Sequence, residues 1–280
     1  MVKLLEVRKH NLLEVSKFVQ QNTNLNFNRV KKLVSCKWVN SIKNYGFILK
    51  EKKKIVGYLG CLYSYRFINN KKKNFGNMTN WIVLRKHRQH SIQLLTKLIN
   101  QKNCILTNFT ANKKVSKVLE LFGFKNLDNK EITFNLFSLI FLNFFNFNTK
   151  ISEITETDNI NKKYRKIIND HKEFKTISLM LKSKKKKVFC FFLKRPSGRL
   201  GNVKLMYSSD YNFLNKRLPY ILFFFIKKFK IFSLSIDNRF LKKKFFLVKE
   251  SFKNKSFFYK KPINKKEIDL LYSEFFGMYG

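Results

Sequence analysis

The sequence predicts an α+β protein, a mixed sheet flanked by helices, with two such domains in tandem. Three observations lead there. The stretch from Trp81 to Phe124 reads strand, basic loop, helix, strand, helix. A layout of hairpin, strand, helix and strand that includes this stretch recurs in the second half. A chain of 280 residues has room for one large domain or two of ordinary size, so burial is not limiting.

The first of these is the most informative. Trp81-Ile82-Val83 is a short apolar run with the look of a buried strand. The polar loop Arg85-Lys86-His87-Arg88-Gln89-His90 follows. Ser91 then opens a segment whose apolar residues Ile92, Leu95, Leu98 and Ile99 fall on one helix face. A second strand spans Ile105 to Thr110, and a second helix carries Val115, Val118, Leu119 and Phe122. Gly123 ends that helix, where a left-handed cap favours glycine. A helix N-terminus beside a basic loop suits phosphate, because free N–H groups, the helix dipole and arginine all favour an anion.

These residues resemble the core of the GNAT superfamily, the acyl-CoA-dependent N-acyltransferases. In that family a valine-containing strand leads into a loop of the form Arg/Gln-x-x-Gly-x-Gly/Ala that holds the CoA pyrophosphate. Arg88-Gln89-His90-Ser91-Ile92-Gln93 stands in that place, with Ser91 and Gln93 where small residues are usual. The family's following motif, Asn-x-x-Ala-x-x-Leu-Tyr-x-x-x-Gly-Phe, is matched by Asn112 and Gly123-Phe124. Here Val115 takes the alanine position and Leu119 the position of the tyrosine, often the acid that protonates the leaving thiolate. The resemblance implies acetyl-CoA or another acyl-CoA as co-substrate and an amine as acceptor. It implies pantetheine along Ile82, Val83 and Leu84, pyrophosphate over Arg88 to Gln93, and Asn112 beside the pantetheine arm.

Taken in order, Leu4 to Val7 reads as the first strand. Asn11 is placed to cap a helix with Glu14 in its first turn and Leu12, Val15, Phe18 and Val19 inside. A second helix from about Asn28 has Val30, Leu33, Val34 and Trp38 on one side. Tyr45 to Leu49 and Ile55 to Tyr63 form a hairpin across Lys50 to Lys54. Arg66 to Asn77 reads as a basic, Asn-rich loop before a strand at Met78 to Val83. Glu131 to Phe137 is expected to close the first sheet.

The second half restarts the pattern. The acidic, Thr/Asn-rich stretch Ile151 to Asn161 marks the boundary, so residues 1–137 form the acyl-CoA-binding domain, 138–162 a linker, and 163–280 a degenerate second copy. Its elements are a helix at Tyr164 to Lys172, strands at Ile177 to Leu181, Val188 to Leu193 and Val203 to Tyr207, helical pattern from Tyr211 to Lys228 broken near Pro219, and a strand at Ile231 to Ile236. Ser208-Ser209-Asp210 stands where the phosphate loop would, and an anionic Asp repels pyrophosphate. The tail Ile268 to Glu274 is similar to the ending of some tandem GNAT proteins.

Composition is dominated by charge: 59 Lys+Arg against 17 Asp+Glu give +42. The bias toward Lys, Asn, Ile and Phe is what an AT-rich coding sequence produces. The charge is then a solvated shell, since lysines are scattered along the whole length; its other meaning is weak, non-specific contact with nucleic acid or an anionic membrane. The four cysteines are widely spaced and form no zinc pattern, so they read as core residues of a reducing compartment. No metal site is expected. The apolar runs Phe137 to Phe147 and Tyr220 to Ile226 fall short of the roughly 20 residues that span a bilayer. With no signal peptide in MVKLLEVRKHNLLEV, the expected location is cytoplasmic.

For catalysis, a strand amide near Ile82 to Leu84 would polarise the thioester carbonyl. The carboxylates Glu51, Glu120, Asp128 and Glu131 offer a base, each equally readable as a surface group. Tyr58, Tyr63 and Tyr65 offer phenols, although strand tyrosines usually pack. No residue is assigned as base or acid. Two further function classes stay open: a GNAT fold used only for binding, and a basic nucleic-acid-binding protein.

Overall fold

A computed structural model describes the chain except residues 37, 39–43, 69–70, 102, 128–129, 137–148, 197–200, 243–247, 252–254, 260–262 and 280. The chain divides into two units. The first comprises Met1–Leu127, Asn254–Ile263 and Tyr272–Met278; the second takes Asp128–Lys253, Asn264–Leu271 and Tyr279–Gly280. The apolar run from Phe137 and residues 138–148 of the expected linker lie outside the described residues. The first unit breaks off before the expected boundary at residue 137, and two C-terminal pieces return to it.

The first unit opens with β1 (Val2–Glu6), α1 (Leu12–Gln21) and α2 (Phe27–Ser35). Then come β2 (Gly46–Glu51), β3 (Lys54–Ile68) and β4 (Lys71–Val83), and after them α3 (Ser91–Ile99), β5 (Cys104–Ala111), α4 (Lys113–Leu121) and β6 (Lys125–Asn126). The late strand β14 (Lys255–Tyr259) completes a sheet of order β1-β2-β3-β4-β5-β14-β6. Strand alternation sends neighbouring side chains to opposite faces. In β2, Phe47 and Leu49 join Leu94, Leu95, Leu98 and Leu119 of α3 and α4, whereas Ile48 joins Val15, Val19, Val30 and Val34 of α1 and α2. A sheet covered on both faces explains why β3 is buried almost throughout. Each apolar side chain fully buried there contributes roughly 1.5–3 kcal/mol.

Several expectations change. Asn11 precedes α1, but its side chain accepts the Arg8 N–H rather than capping the helix. Helix α2 stops at Ser35, so Trp38 is not on its face; it meets Tyr272 edge-on with centroids 5.2 Å apart. The stretch from Arg66 to Asn77 is no loop. β3 and β4 pair from Gly57↔Val83 out to Ile68↔Lys71, because Phe75, Asn77 and Met78 are core positions and the lysines 71–73 mark only the solvated tip.

In the second unit β7 (Glu131–Asn135), β8 (Lys150–Glu153), β9 (Thr176–Lys182), β10 (Lys187–Arg195), β11 (Asn202–Ser208), β12 (Ser233–Asp237) and β13 (Lys249–Ser251) form a sheet of order β13-β7-β12-β11-β10-β9-β8. Strand β7, expected to close the first sheet, instead runs antiparallel to β12. Its alternating Ile132 and Phe134 enter the core of the second unit, against residues of β12 and its neighbours. The helices are α5 (Lys162–Asp170), α6 (Tyr211–Asn215) and α7 (Leu218–Phe229), with Pro219 in the first turn of α7, where its missing N–H costs nothing. The repeated layout is present: antiparallel β2–β3–β4 with β4 parallel to β5, and antiparallel β9–β10–β11 with β11 parallel to β12. Asp210 caps α6 by accepting the Phe213 N–H and pairs with Lys186 at 2.6 Å. It is a structural cap.

Candidate active site

The first unit contains a parting of two parallel strands. β4 pairs with β5 only from Asn74↔Cys104 to Asn77↔Thr107, yet β4 continues to Val83 and β5 to Ala111. The cause lies on the other side of β4. Tyr58 faces Ile82 and Gly60 faces Thr79, so Leu59 alone stands opposite Asn80 and Trp81. That is a β-bulge, which bends the strand carrying the extra residue. Asn80 takes φ 49°, a left-handed backbone that Asn tolerates better than most residues.

Side chains pin the closed end. Asn77 Nδ2 donates to the Thr107 carbonyl at 3.3 Å and to its Oγ1 at 3.1 Å, and Asn108 Nδ2 donates to the Met78 carbonyl at 3.3 Å. The C-terminal segment enters at the same level. The Glu274 N–H donates to Asn77 Oδ1 at 2.8 Å, while Glu274 Oε1 accepts the Phe109 N–H at 2.9 Å and the Thr110 hydroxyl at 3.0 Å. Phe109 and Phe275 stack beside it at 6.1 Å. Beyond these bonds three buried polar atoms have no hydrogen-bond partner among the described residues: Asn80 Nδ2, Trp81 Nε1 and Glu274 Oε2.

Of the residues singled out from sequence, Ile82, Val83 and Leu84 lie at the end of β4, half-buried. The Leu84 N–H donates to the Val56 carbonyl at 2.9 Å, so it faces β3. Alternation turns the Val83 N–H to the opposite edge of β4, the edge that β5 has left.

The basic loop is a 3-10 helix, Arg85–His90, that runs straight into α3. The His87 N–H bonds the Leu84 carbonyl and the Ser91 N–H bonds the Arg88 carbonyl. A fresh helix start at Ser91 is therefore not formed; the turn begins at Arg85, and the Arg85 and Lys86 amides precede its first bond. Arg85, Lys86, Arg88 and Gln89 are exposed, as are Ile92 and Gln93, and Gln93 Nε2 lies 3.3 Å from His90 Nδ1. His87 is 3.8 Å from Glu51. Asn112 caps α4, its Oδ1 accepting the Val115 N–H at 2.9 Å.

The carboxylates named from sequence lead elsewhere. Glu51 has His87 beside it, Glu120 pairs with Lys255 at 3.1 Å on the surface, and Asp128 lies outside the described residues. Glu131 belongs to the second unit, clasped by Arg195 at 2.5 and 2.6 Å and by Lys204 at 2.7 Å. Tyr58 and Tyr63 are core residues whose phenols burial pushes well up. Leu119 is fully buried. Among the described residues no group of His, Cys, Asp and Glu could hold a metal, and no helix is long and apolar enough to cross a membrane.

Sequence reasoning missed Asn80 and Glu274. A positive-φ Asn inside a strand leaves no periodic signal, and Glu274 meets its partners across more than 160 residues of chain.

No family model matches the sequence, and no curated protein matches it. Solved structures do match in three dimensions. A GCN5-related N-acetyltransferase from Anabaena variabilis superposes over 92% of this chain and 72% of its own, with TM-score 0.61 and 8% identity. A probable N-acyltransferase from Enterococcus faecalis covers the same shares at TM-score 0.59 and 10% identity. Saccharomyces cerevisiae N-myristoyltransferase, solved with bound myristoyl-CoA, covers 92% of this chain and 79% of its own at TM-score 0.52 and 12% identity. Such coverage takes in both mixed sheets, and what is shared at such low identity is architecture. The chain has the GNAT fold.

Proposed function

We propose that the protein is an acyl-CoA-dependent N-acyltransferase. The observation that carries this reading is the parting of β4 from β5 beside a basic turn. A thioester laid along the free edge of β4 has the Val83 N–H to donate to its carbonyl oxygen, and the pantetheine arm runs past Ile82 and Leu84 toward Asn112. The pyrophosphate rests on the turn from Arg88 to Gln93. Since the Ser91 amide is already bonded, Arg88, Arg85 and Lys86 supply most of the attraction, and the exposed Gln93 leaves the approach open. The acyl group is acetyl or longer, and the acceptor is an amine. The solved relatives that fit the fold include proteins named as N-acetyltransferases and one named for myristoyl transfer, so a panel of chain lengths is the right probe.

A second reading, acyl-CoA binding without transfer, has one observation in its favour. Leu119 is in the core, so the position that would carry a phenol has none. Titration calorimetry with acetyl-CoA and longer acyl-CoAs tests the site common to both readings. Arg88→Ala should weaken binding by a charge-assisted contact of about 1.5–3 kcal/mol, roughly ten- to a hundredfold. Equal affinity in both proteins, or none in either, removes the site assignment. Thiol release in the presence of amines then separates transfer from binding.

A further inference from the structure

We infer that Glu274 is the group that takes the proton from the acceptor amine, a step that rests on the acyltransferase reading. Its place in the fold argues for it. Pairing of β4 with β5 ends at Asn77 and Thr107; equally far beyond these stand Asn80, the bulge residue, and Thr110, whose hydroxyl binds Glu274. The carboxylate thus sits level with the bulge, in the gap between the two strands.

It is held there with one oxygen to spare. Oε1 is fixed by the Phe109 N–H and the Thr110 hydroxyl, whereas Oε2 is buried and has no partner among the described residues. Leaving a buried carboxylate oxygen unbonded is costly, and native proteins rarely leave one without a reason. The surroundings are unusual too. The two residues of the bulge, Asn80 and Trp81, each have a buried N–H donor without a partner among the described residues, Asn80 Nδ2 and Trp81 Nε1, complementary to the acceptor Glu274 Oε2. Donors suit an oxygen that gains negative charge, and an acceptor suits a nitrogen that must shed a proton. The groups bonded to Glu274 are all neutral, and burial pushes its carboxyl up against the pull of the Phe109 N–H. A carboxylate so raised is a stronger base than one in water.

The step balances. The amine nitrogen forms a bond to the thioester carbonyl carbon, its surplus proton passes to Glu274 Oε2, and the C–S bond breaks. CoA leaves as thiolate and is protonated by solvent, and Glu274 returns its proton to water. The competing role for Glu274 is a staple that seats the C-terminal segment, whose Phe276 and Tyr272 are buried. Glu274→Gln distinguishes the two, because the amide keeps an oxygen for Phe109 and Thr110 and loses only the base.

Acyl-CoA affinity by calorimetry and transfer to a panel of primary amines are measured on the full chain, wild type and variant. We expect E274Q to bind acyl-CoA within about twofold of wild type. Its transfer rate should fall about 10²- to 10⁴-fold and recover partly at high pH, where the amine is free. Glu274→Asp, which retains the carboxylate, should restore part of the rate. Unchanged transfer with an unchanged pH profile in E274Q overturns the inference while leaving the acyltransferase reading intact. If E274Q melts below the assay temperature, transfer by both proteins is measured below its melting point, and a rate equal to wild type's there overturns the inference. Acyl-CoA binding with no transfer to any amine by wild type overturns the acyltransferase reading itself.

Discussion

At the scale of single residues, the strongest electrostatic feature is Glu131 with Arg195 and Lys204. The bonds are short and the cations nearly buried, with side chains 13% and 6% exposed. Burial alone would raise the Glu131 carboxyl, but Arg195 and Lys204 outweigh it and hold the carboxyl far below its ordinary 4.5; burial pulls Lys204 down to about 8. A carboxyl depressed in the folded state gives stability that is complete above its unfolded value and is lost as pH falls through the folded one. Unfolding monitored from pH 6 down to pH 3 should therefore show wild type weakening as the unfolded carboxyl begins to bind protons. Glu131→Gln should cost about 3 kcal/mol at pH 6 by leaving two cations without their anion, and should flatten that dependence. A variant as stable as wild type at pH 6 would contradict the argument. Legibility at this scale follows sequence distance. The Asn112 cap is a local feature, its partner Val115 three residues on, although from sequence Asn112 is placed only beside the pantetheine arm. The bonds of Glu274 to Phe109 and Thr110, and of Glu131 to Arg195 and Lys204, depend on folding that brings distant segments together, and no local pattern announces them.

At the scale of elements, the hairpin of β3 and β4 governs the site. Strand β2 must approach it closely, and Gly46 permits this: φ is +119°, and a Cβ there would lie 2.2 Å from the Leu59 carbonyl oxygen and 2.8 Å from the Gly60 Cα. Both obstacles are backbone and cannot rotate away. Gly46→Ala should destabilise the protein by about 2–4 kcal/mol, from strain and overlap together. Thermal unfolding checks it, and an unchanged melting temperature would refute the close approach. The core of the strand–helix–strand–helix unit was readable because its apolar spacing is local. The hairpin's outer half was not. A run of lysines and asparagines looks like a loop, yet Phe75 and Asn77 are buried in a strand, with Asn77 bonded across to Thr107. The bulge at Asn80 was equally hidden, since it is defined by a register shift against β3.

At the scale of the whole molecule, charge and chain path matter most. A net charge of +42 spread along the sequence predicts general attraction to polyanions without selection among them. Single-stranded RNA should bind weakly at low salt and be lost between roughly 50 and 200 mM, with no preference for sequence. Filter binding across that range is the test, and selective binding retained at physiological salt would favour the nucleic-acid reading. The division into two halves was legible from the recurring strand order. The return of the C-terminal segments was not, because β14 reads like any short apolar strand. That return has a consequence for synthesis. A ribosome delivers β5 and β6 well before Lys255–Tyr259, the strand that stands between them and pairs with both. Through most of translation the first sheet is thus missing an inner strand, and Glu274 arrives later still. The portion begun first is left incomplete until nearly all of the chain has been made.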